Sequence, residues 1–172
     1  MIRFALILVM TIGLCAPAAA VELGDDGLHK PDWLRDTFKD LREDLAEANG
    51  EGKRLLLIVE QRGCIYCTKM HEEVFTDPEV EKLIRDHYFP VQINLFGDIE
   101  VTDLDGTVLS EKDMAVRWGL LFTPTLIFLP EDVGDDAVSA SEAAVASMPG
   151  AFGVQTTAAL LTLVRNHGYE DG

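Results

Sequence analysis

The sequence is poor in cysteine, poor in positive charge and without any apolar run long enough to span a bilayer. Three cysteines in 172 residues, at positions 15, 64 and 67, are too few for a fold stapled by disulfides. The length suffices for one domain with its own hydrophobic core. Fourteen Lys plus Arg against 30 Asp plus Glu leave a formal net charge of −16. Such a field repels phosphate backbones and anionic headgroups, so nucleic acid is not expected as a partner. Apolar residues at 48% and charged ones at 26% are ordinary globular usage, which argues against wholesale disorder. No internal repeat or low-complexity tract is present.

The apolar run that does occur lies at the start. Met1-Ile2-Arg3 is a short positive opening, Phe4 to Leu14 carries no charge, and Cys15 to Ala20 ends in Ala18-Ala19-Ala20. This is the layout of a secretory signal peptide, residues 1–20, cleaved after Ala20. A membrane anchor is disfavoured because the run falls short of the roughly 20 residues a spanning helix needs, and Pro17 follows it. Acylation of Cys15 is disfavoured by the bulky Leu14 before it. Cleavage removes Cys15 and leaves an exported protein without membrane insertion, whose two remaining cysteines share one motif.

Along the mature chain, Val21 to Lys30 reads as an acidic lead-in. Pro31 suits a first helical position, and Leu34, Phe38, Leu41, Leu45 and Ala48 make one apolar stripe that Asn49-Gly50 ends. Residues 21–53 are thus an N-terminal extension and helix packing on a domain at 54–168, with 169–172 as a tail. Within the domain, Leu55 to Val59 is an apolar run suited to a strand buried on both faces. It leads directly into Cys64-Ile65-Tyr66-Cys67 and a helical pattern in Met70, Val74 and Phe75. Asp77-Pro78 opens a helix with Val80, Leu83, Ile84 and His87 inward, and Phe89 to Leu95 is a second strand, parallel to the first by way of the helical crossover.

Asp105-Gly106 between Val101 and Val108 suggests a hairpin, and Ser110 with Asp113 a capped helix through Trp118 that Gly119 stops. Thr125 to Leu129 is a third strand. Glu131 to Met148 turns abruptly to Asp, Ser, Ala and Gly, and reads as a surface insertion (131–148) with a weak helix at Ser141 to Ser147. An edge strand at Pro149 to Phe152 and a helix from Gln155 to Asn166, with Leu160, Leu163 and Val164 inward, complete the chain.

Cys64 and Cys67, three positions apart at a helix start, put both sulfurs on one face within bonding reach. Thiol–disulfide exchange needs that spacing, because one thiolate attacks a partner's disulfide and the other resolves the mixed disulfide. A helix N-terminus favours the negative sulfur, so Cys64 is the expected nucleophile and Cys67 the resolving thiol. Arg62 and Lys69 bring positive charge near the motif, and Glu60, Glu72 and Glu73 are equally near in sequence. A purely structural disulfide would close too short a loop to stabilise much. Zinc on Cys64, Cys67 and His71 lacks a second cysteine pair, and haem attachment would need His where Thr68 stands. Thr123-Pro124, before a strand, is the second element: a cis bond there would leave neighbouring backbone groups free to pair with an extended substrate beside Cys64.

Together, Cys64-Ile65-Tyr66-Cys67 and Phe122-Thr123-Pro124-Thr125, within this order of strands and helices, resemble the thioredoxin family over roughly Leu55 to Val164. Glu60 through His71, Val101-Thr102-Asp103-Leu104-Asp105-Gly106 and Phe122 to Thr125 are similar to the exported thioredoxins associated with bacterial sulfur oxidation. The resemblance implies an α/β thioredoxin-like fold, with a mixed central sheet flanked by helices and the insertion after the strand that follows the cis-proline. It also implies a periplasmic thiol–disulfide oxidoreductase that reduces disulfides of envelope proteins and is kept reduced by a membrane thiol electron donor. Cys64 and Cys67 would form the redox-active disulfide, with Tyr66, Thr123 and the cis-proline Pro124 along the substrate groove, no cofactor beyond that disulfide, and no metal.

Two departures stand out. Relatives commonly carry Pro where Ile65 stands, and cytosolic thioredoxins place a buried Asp proton relay where Ile58 stands. Glu60 is the nearest carboxylate and the expected partial substitute; His71 is expected to be a packed or surface residue, and Trp118 and Tyr66 packing and site-rim residues. The remaining alternatives are a disulfide oxidase or isomerase, and a thioredoxin-fold binding protein or chaperone whose disulfide is inert.

Overall fold

The computed structural model of the chain describes residues 21–134 and 138–170. The expected leader, 1–20, part of the 131–148 insertion and the last two residues lie outside them. The elements run α1 (Leu41–Gly50), β1 (Arg54–Glu60), α2 (Ile65–Lys69) continuing into one π-helical turn (Met70–Val74), α3 (Pro78–His87) and β2 (Tyr88–Asn94). The short strands β3 (Glu100–Thr102) and β4 (Val108–Ser110) follow, then α4 (Glu111–Arg117), β5 (Thr125–Phe128), α5 (Ala140–Ala143), β6 (Ala146–Pro149) and α6 (Val154–Arg165).

The main sheet has the order β2-β1-β5-β6, and β3 with β4 forms a separate two-stranded sheet. β1 pairs parallel with β2, with Ile58 opposite Gln92 and Glu60 opposite Asn94, and antiparallel with β5. β6 pairs antiparallel with β5. This is the mixed sheet expected of a thioredoxin-like fold. Every residue of β1 is buried, because its alternating side chains feed two cores. Leu56 and Ile58 join Met70, Val74, Phe75, Val80, Ile84 and Leu161 beneath the π turn, α3 and α6. Leu55, Leu57 and Val59 face Leu41, Leu45, Ala48, Met114 and Trp118 beneath α1 and α4. Full burial of each of these aliphatic side chains contributes roughly 1.5–3 kcal/mol.

The first helix begins at Leu41, ten residues later than the start expected at Pro31. Upstream of Leu41 the backbone is committed elsewhere: Arg35 N–H donates to the Pro90 carbonyl at 2.9 Å, making a parallel bridge from Arg35 to Val91 at the β2 edge. Lys39 then takes a left-handed φ of 57°, and the Asp40 side chain accepts from the N–H groups of Arg42 and Glu43 as the N-cap. Phe38, read as part of the stripe, is consequently 96% exposed. The segment 22–40 is a strap along the sheet edge, held in place by the buried Trp33.

The other differences lie at the far end. The helix of the 131–148 segment is the single turn Ala140–Ala143, closed by a Ser139–Glu142 capping box. The edge strand starts at Ala146, with Met148 buried, so the last residues assigned to the insertion belong to the sheet. The inward face of α6 is Thr157, Ala158, Leu161 and Val164, with Leu163 exposed. Among the described residues no helix is long and apolar enough to cross a membrane.

Candidate active site

β1 delivers the chain to the motif. After Glu60, Gly63 turns with a φ of 71°, a conformation that costs glycine little, and Cys64 becomes the N-cap of α2. Cys64 and Cys67 are joined in a disulfide with their Cα atoms 5.2 Å apart. Cys64 Sγ accepts the Cys67 N–H at 3.0 Å, so an unpaired donor of the helix start points at this sulfur.

Across the site, Thr123 Oγ1 donates to Cys64 Sγ at 3.4 Å, and the Thr123 carbonyl oxygen lies 3.6 Å from the same sulfur. The Thr123–Pro124 peptide bond is cis. Pro124 has no N–H to give, and its carbonyl accepts from Gly150 N–H at 2.7 Å, which leaves Thr123 as the backbone partner beside the cysteine. Both sulfurs are largely covered, whereas Ile65, Tyr66 and Phe122 around them are 73%, 58% and 61% exposed. An apolar rim around a recessed disulfide can hold an extended chain against Cys64.

Of the expected groove residues, Thr123 meets Cys64 directly, Pro124 is buried next in the chain, and Tyr66 is exposed on α2. Glu60 is buried at the end of β1. The carboxylate is 1% exposed, as is His71; its Oε1 is 2.9 Å from His71 Nε2, and its Oε2 accepts from Gln92 Nε2 at 2.7 Å. Gln92 also donates to the His29 carbonyl at 2.9 Å and accepts from Lys30 Nζ. His71, four positions after Cys67 in the π turn, is thus a packed residue, and a paired one. Arg62 does not turn to the cysteines; it donates to the carbonyls of Asp25 and Asp26, both at 3.0 Å, and ties the strap to the loop before Cys64.

His29, Glu60 and His71 each offer a ligand atom, all within 4.8 Å of one another. The two imidazoles, however, are stacked with centroids 4.4 Å apart and planes 13° apart. In-plane lone pairs of parallel rings do not converge on one ion, so the geometry is not that of a metal centre. Burial, and then the neighbouring His71, push the His29 pKa down and keep its ring neutral beside its partner.

Some functional and structural residues carry no signal in sequence. His29, Trp33 and Gln92 reach the Glu60 cluster from the strap and from β2, through contacts no local motif announces. Asp103, part of the Val101–Gly106 resemblance, is fully buried. It accepts from Trp118 Nε1 at 2.9 Å and from the Ala140 and Leu104 N–H groups, each at 2.8 Å, and pairs with Arg117. Trp118 is therefore anchored packing between α4 and α5.

The chain matches the thioredoxin-like domain over residues 41–136, more than half its length, and belongs to that family. Its disulfide and fold together are those of a thiol–disulfide oxidoreductase in general terms, which uses its own cysteines and no cofactor. Among solved structures it is similar to a thioredoxin from Thermus thermophilus, at 21% identity and a TM-score of 0.54, covering 73% of this chain and 83% of that one. It is also similar to a thioredoxin-fold protein from Helicobacter pylori, at 20% identity and a TM-score of 0.53, covering 70% and 73%. At these identities the likeness concerns the fold alone. No curated protein matches the chain by sequence.

Proposed function

We infer that the protein is an exported, periplasmic oxidoreductase that reduces disulfides of other envelope proteins. In this reading the reduced Cys64 thiolate attacks a substrate disulfide, and Cys67 then attacks Cys64 Sγ, releasing the reduced substrate and leaving the protein's own disulfide. A membrane thiol donor restores the dithiol. Bacterial sulfur oxidation as the setting, and residues 1–20 as the export signal, follow from the motif resemblance and the leader pattern.

The observation that carries the reading is the surroundings of Cys64. Its sulfur receives one backbone N–H and one hydroxyl, donors that stabilise a thiolate more than a thiol, and it sits within an exposed apolar rim. Tyr66 and Phe122 shape the groove, and the Thr123 backbone and Pro124 line it against an extended substrate. Glu60 serves as the carboxylate of the proton relay for Cys67, in the role a buried Asp would have at Ile58. Glu60→Gln is expected to displace the pH profile of disulfide reduction; an unchanged profile would remove Glu60 from the relay.

The test is reduction of insulin by wild type and Cys64→Ser with dithiothreitol as donor. Turnover only in the wild type supports the reading, and equal turnover in both refutes it. Equilibration with glutathione fixes the direction: a potential as high as about −120 mV would mark an oxidant instead.

A further inference from the structure

His29 and His71 stack on each other from elements far apart in the chain, with centroids 4.4 Å apart and planes 13° apart. His29 is half-buried in the strap, and His71 is buried in the π turn. Trp33 lies parallel to the His71 ring at 6.4 Å, and Phe75 meets it edge-on at 5.1 Å. A cleft of about 440 Å³, lined by Lys30, Trp33, His71 and Phe75, opens beside the ring and gives water access to it.

The stack lies among the bonds that hold the strap. The His29 carbonyl accepts from Gln92 Nε2 at 2.9 Å, and Lys30 Nζ donates to Gln92 Oε1 at 2.5 Å. Just upstream, the carbonyls of Asp25 and Asp26 hold the Arg62 guanidinium, two residues before Cys64. Gly27 lies so close to this side chain that a Cβ there would meet Arg62 Nε at 2.6 Å. The position of the strap and the position of the loop leading to Cys64 are thus tied together.

Two neutral imidazoles stack without electrostatic cost. Two imidazolium rings at this separation repel by more than thermal energy, even at the effective dielectric of a partly buried site. The charged and titratable groups facing the pair are Glu60 from β1, Glu72 from the π turn, Glu81 from α3, and Glu22, Asp26, Lys30 and Asp32 from the strap. All but Glu60 reach solvent, which screens them, and Lys30 is paired with Asp26, Asp32 and Glu81 with Arg85. Buried Glu60 balances one added positive charge and leaves a second without a counter-charge.

We propose that the His29–His71 stack is a pH-sensitive latch: in mild acid both rings become protonated, the strap lifts from the sheet edge, and Arg62 is released beside the active-site loop. Burial, and then His71, push the His29 pKa below its ordinary 6.5, against Glu60 and Glu72. The open strap therefore takes up a proton more readily than the closed one. Closure is fully stable above 6.5 and weakens as the pH falls from there through the lowered value. Burial of Leu28 and Trp33 opposes lifting, so acid raises the population of an open strap and leaves the domain folded. The latch does not depend on the oxidoreductase reading.

The test is amide hydrogen exchange of the oxidised protein, followed residue by residue by NMR between about pH 7.5 and about pH 5 and corrected for the intrinsic rate at each pH. The reporters are the Lys30 N–H, bonded to the Glu22 carbonyl at 2.7 Å, and the Arg35 N–H, bonded to the Pro90 carbonyl at 2.9 Å. With one proton taken up on opening, their corrected exchange should gain up to about tenfold per pH unit below 6.5. His29→Phe keeps a flat ring that takes no charge, and should remove this dependence. Constant protection in the wild type, or an undiminished dependence in His29→Phe, overturns the latch. If His29→Phe does not fold, the titration of His29 in the wild type decides: a midpoint below 6.5 supports the proposal, and one at or above it overturns it. The Cys64 N–H, bonded to the Gln61 carbonyl at 3.3 Å, reports on the loop. Its exchange rising in step with the strap supports the tie through Arg62, and indifference to pH overturns that tie.

Discussion

Cys64 and Thr123, far apart in the chain, meet twice: Thr123 Oγ1 donates to the sulfur at 3.4 Å, and the Thr123 carbonyl oxygen lies 3.6 Å from it. The residue before Pro124 thus supports the first cysteine with its side chain and offers its backbone beside the same atom. In the proposed reaction, nucleophile activation and substrate alignment are thereby coupled at one position.

Thr123→Val removes the hydroxyl and keeps the shape. A hydrogen bond to a charged group is worth about 1.5–3 kcal/mol, and less to a diffuse sulfur, so the Cys64 thiolate pKa should rise by about half a unit to one unit. The pH dependence of alkylation by iodoacetamide measures it. An unchanged midpoint would mean that the Cys67 N–H and the helix start stabilise the thiolate without help.

Asp103 joins the β3–β4 hairpin to α4 and α5. Asp103→Ala strands Trp118 Nε1 and the Ala140 and Leu104 N–H groups, all in buried residues, while Arg117 keeps Asp105, and should cost about 3 kcal/mol of stability. Asp103→Asn, which still presents an acceptor, should cost less. Urea unfolding midpoints of the two variants test the order, and equal losses would contradict it.

Asp44 in α1 is buried, and its pKa is raised to about 6, first by that burial and further by Asp40, Glu47 and Glu43, against a hydrogen bond from Thr37. Between its ordinary 3.8 and about 6 the folded protein holds a proton that the unfolded chain releases. Stability therefore falls as pH rises through this window, and the penalty is constant above it. Asp44→Asn should be nearly neutral near pH 3 and stabilising by about 1–2 kcal/mol at pH 7. Thermal melts across that range check the sign, and a gain at low pH only would contradict it.

The sheet strands were legible because β1 and β5 carry unbroken apolar runs, Leu55–Val59 and Leu126–Phe128, and the turns around them carry Gly, Pro or Asp. The cysteine pair was legible because its spacing and position after a buried strand are local features. The start of α1 was not. The stripe from Leu34 to Ala48 has helical spacing, but the Arg35 N–H is committed to the Pro90 carbonyl, a long-range pairing invisible in the local pattern. Burial of His71 was equally hidden: what makes it a paired interior residue is Glu60 from β1 and His29 from the strap. The edge strand at Ala146–Pro149 was not legible because its small residues look like loop, and only pairing with β5 makes them strand.

The most direct measurement is mass spectrometry of the Cys67→Ser variant after brief incubation, in reduced form, with an excess of a disulfide-bonded protein substrate. With the resolving thiol gone, the mixed disulfide should accumulate, and peptide mapping should place the substrate sulfur on Cys64. The parallel Cys64→Ser variant should trap little or none. Equal adducts on the two single-cysteine variants, or a preference for Cys67, would contradict the assignment of Cys64 as the attacking thiol.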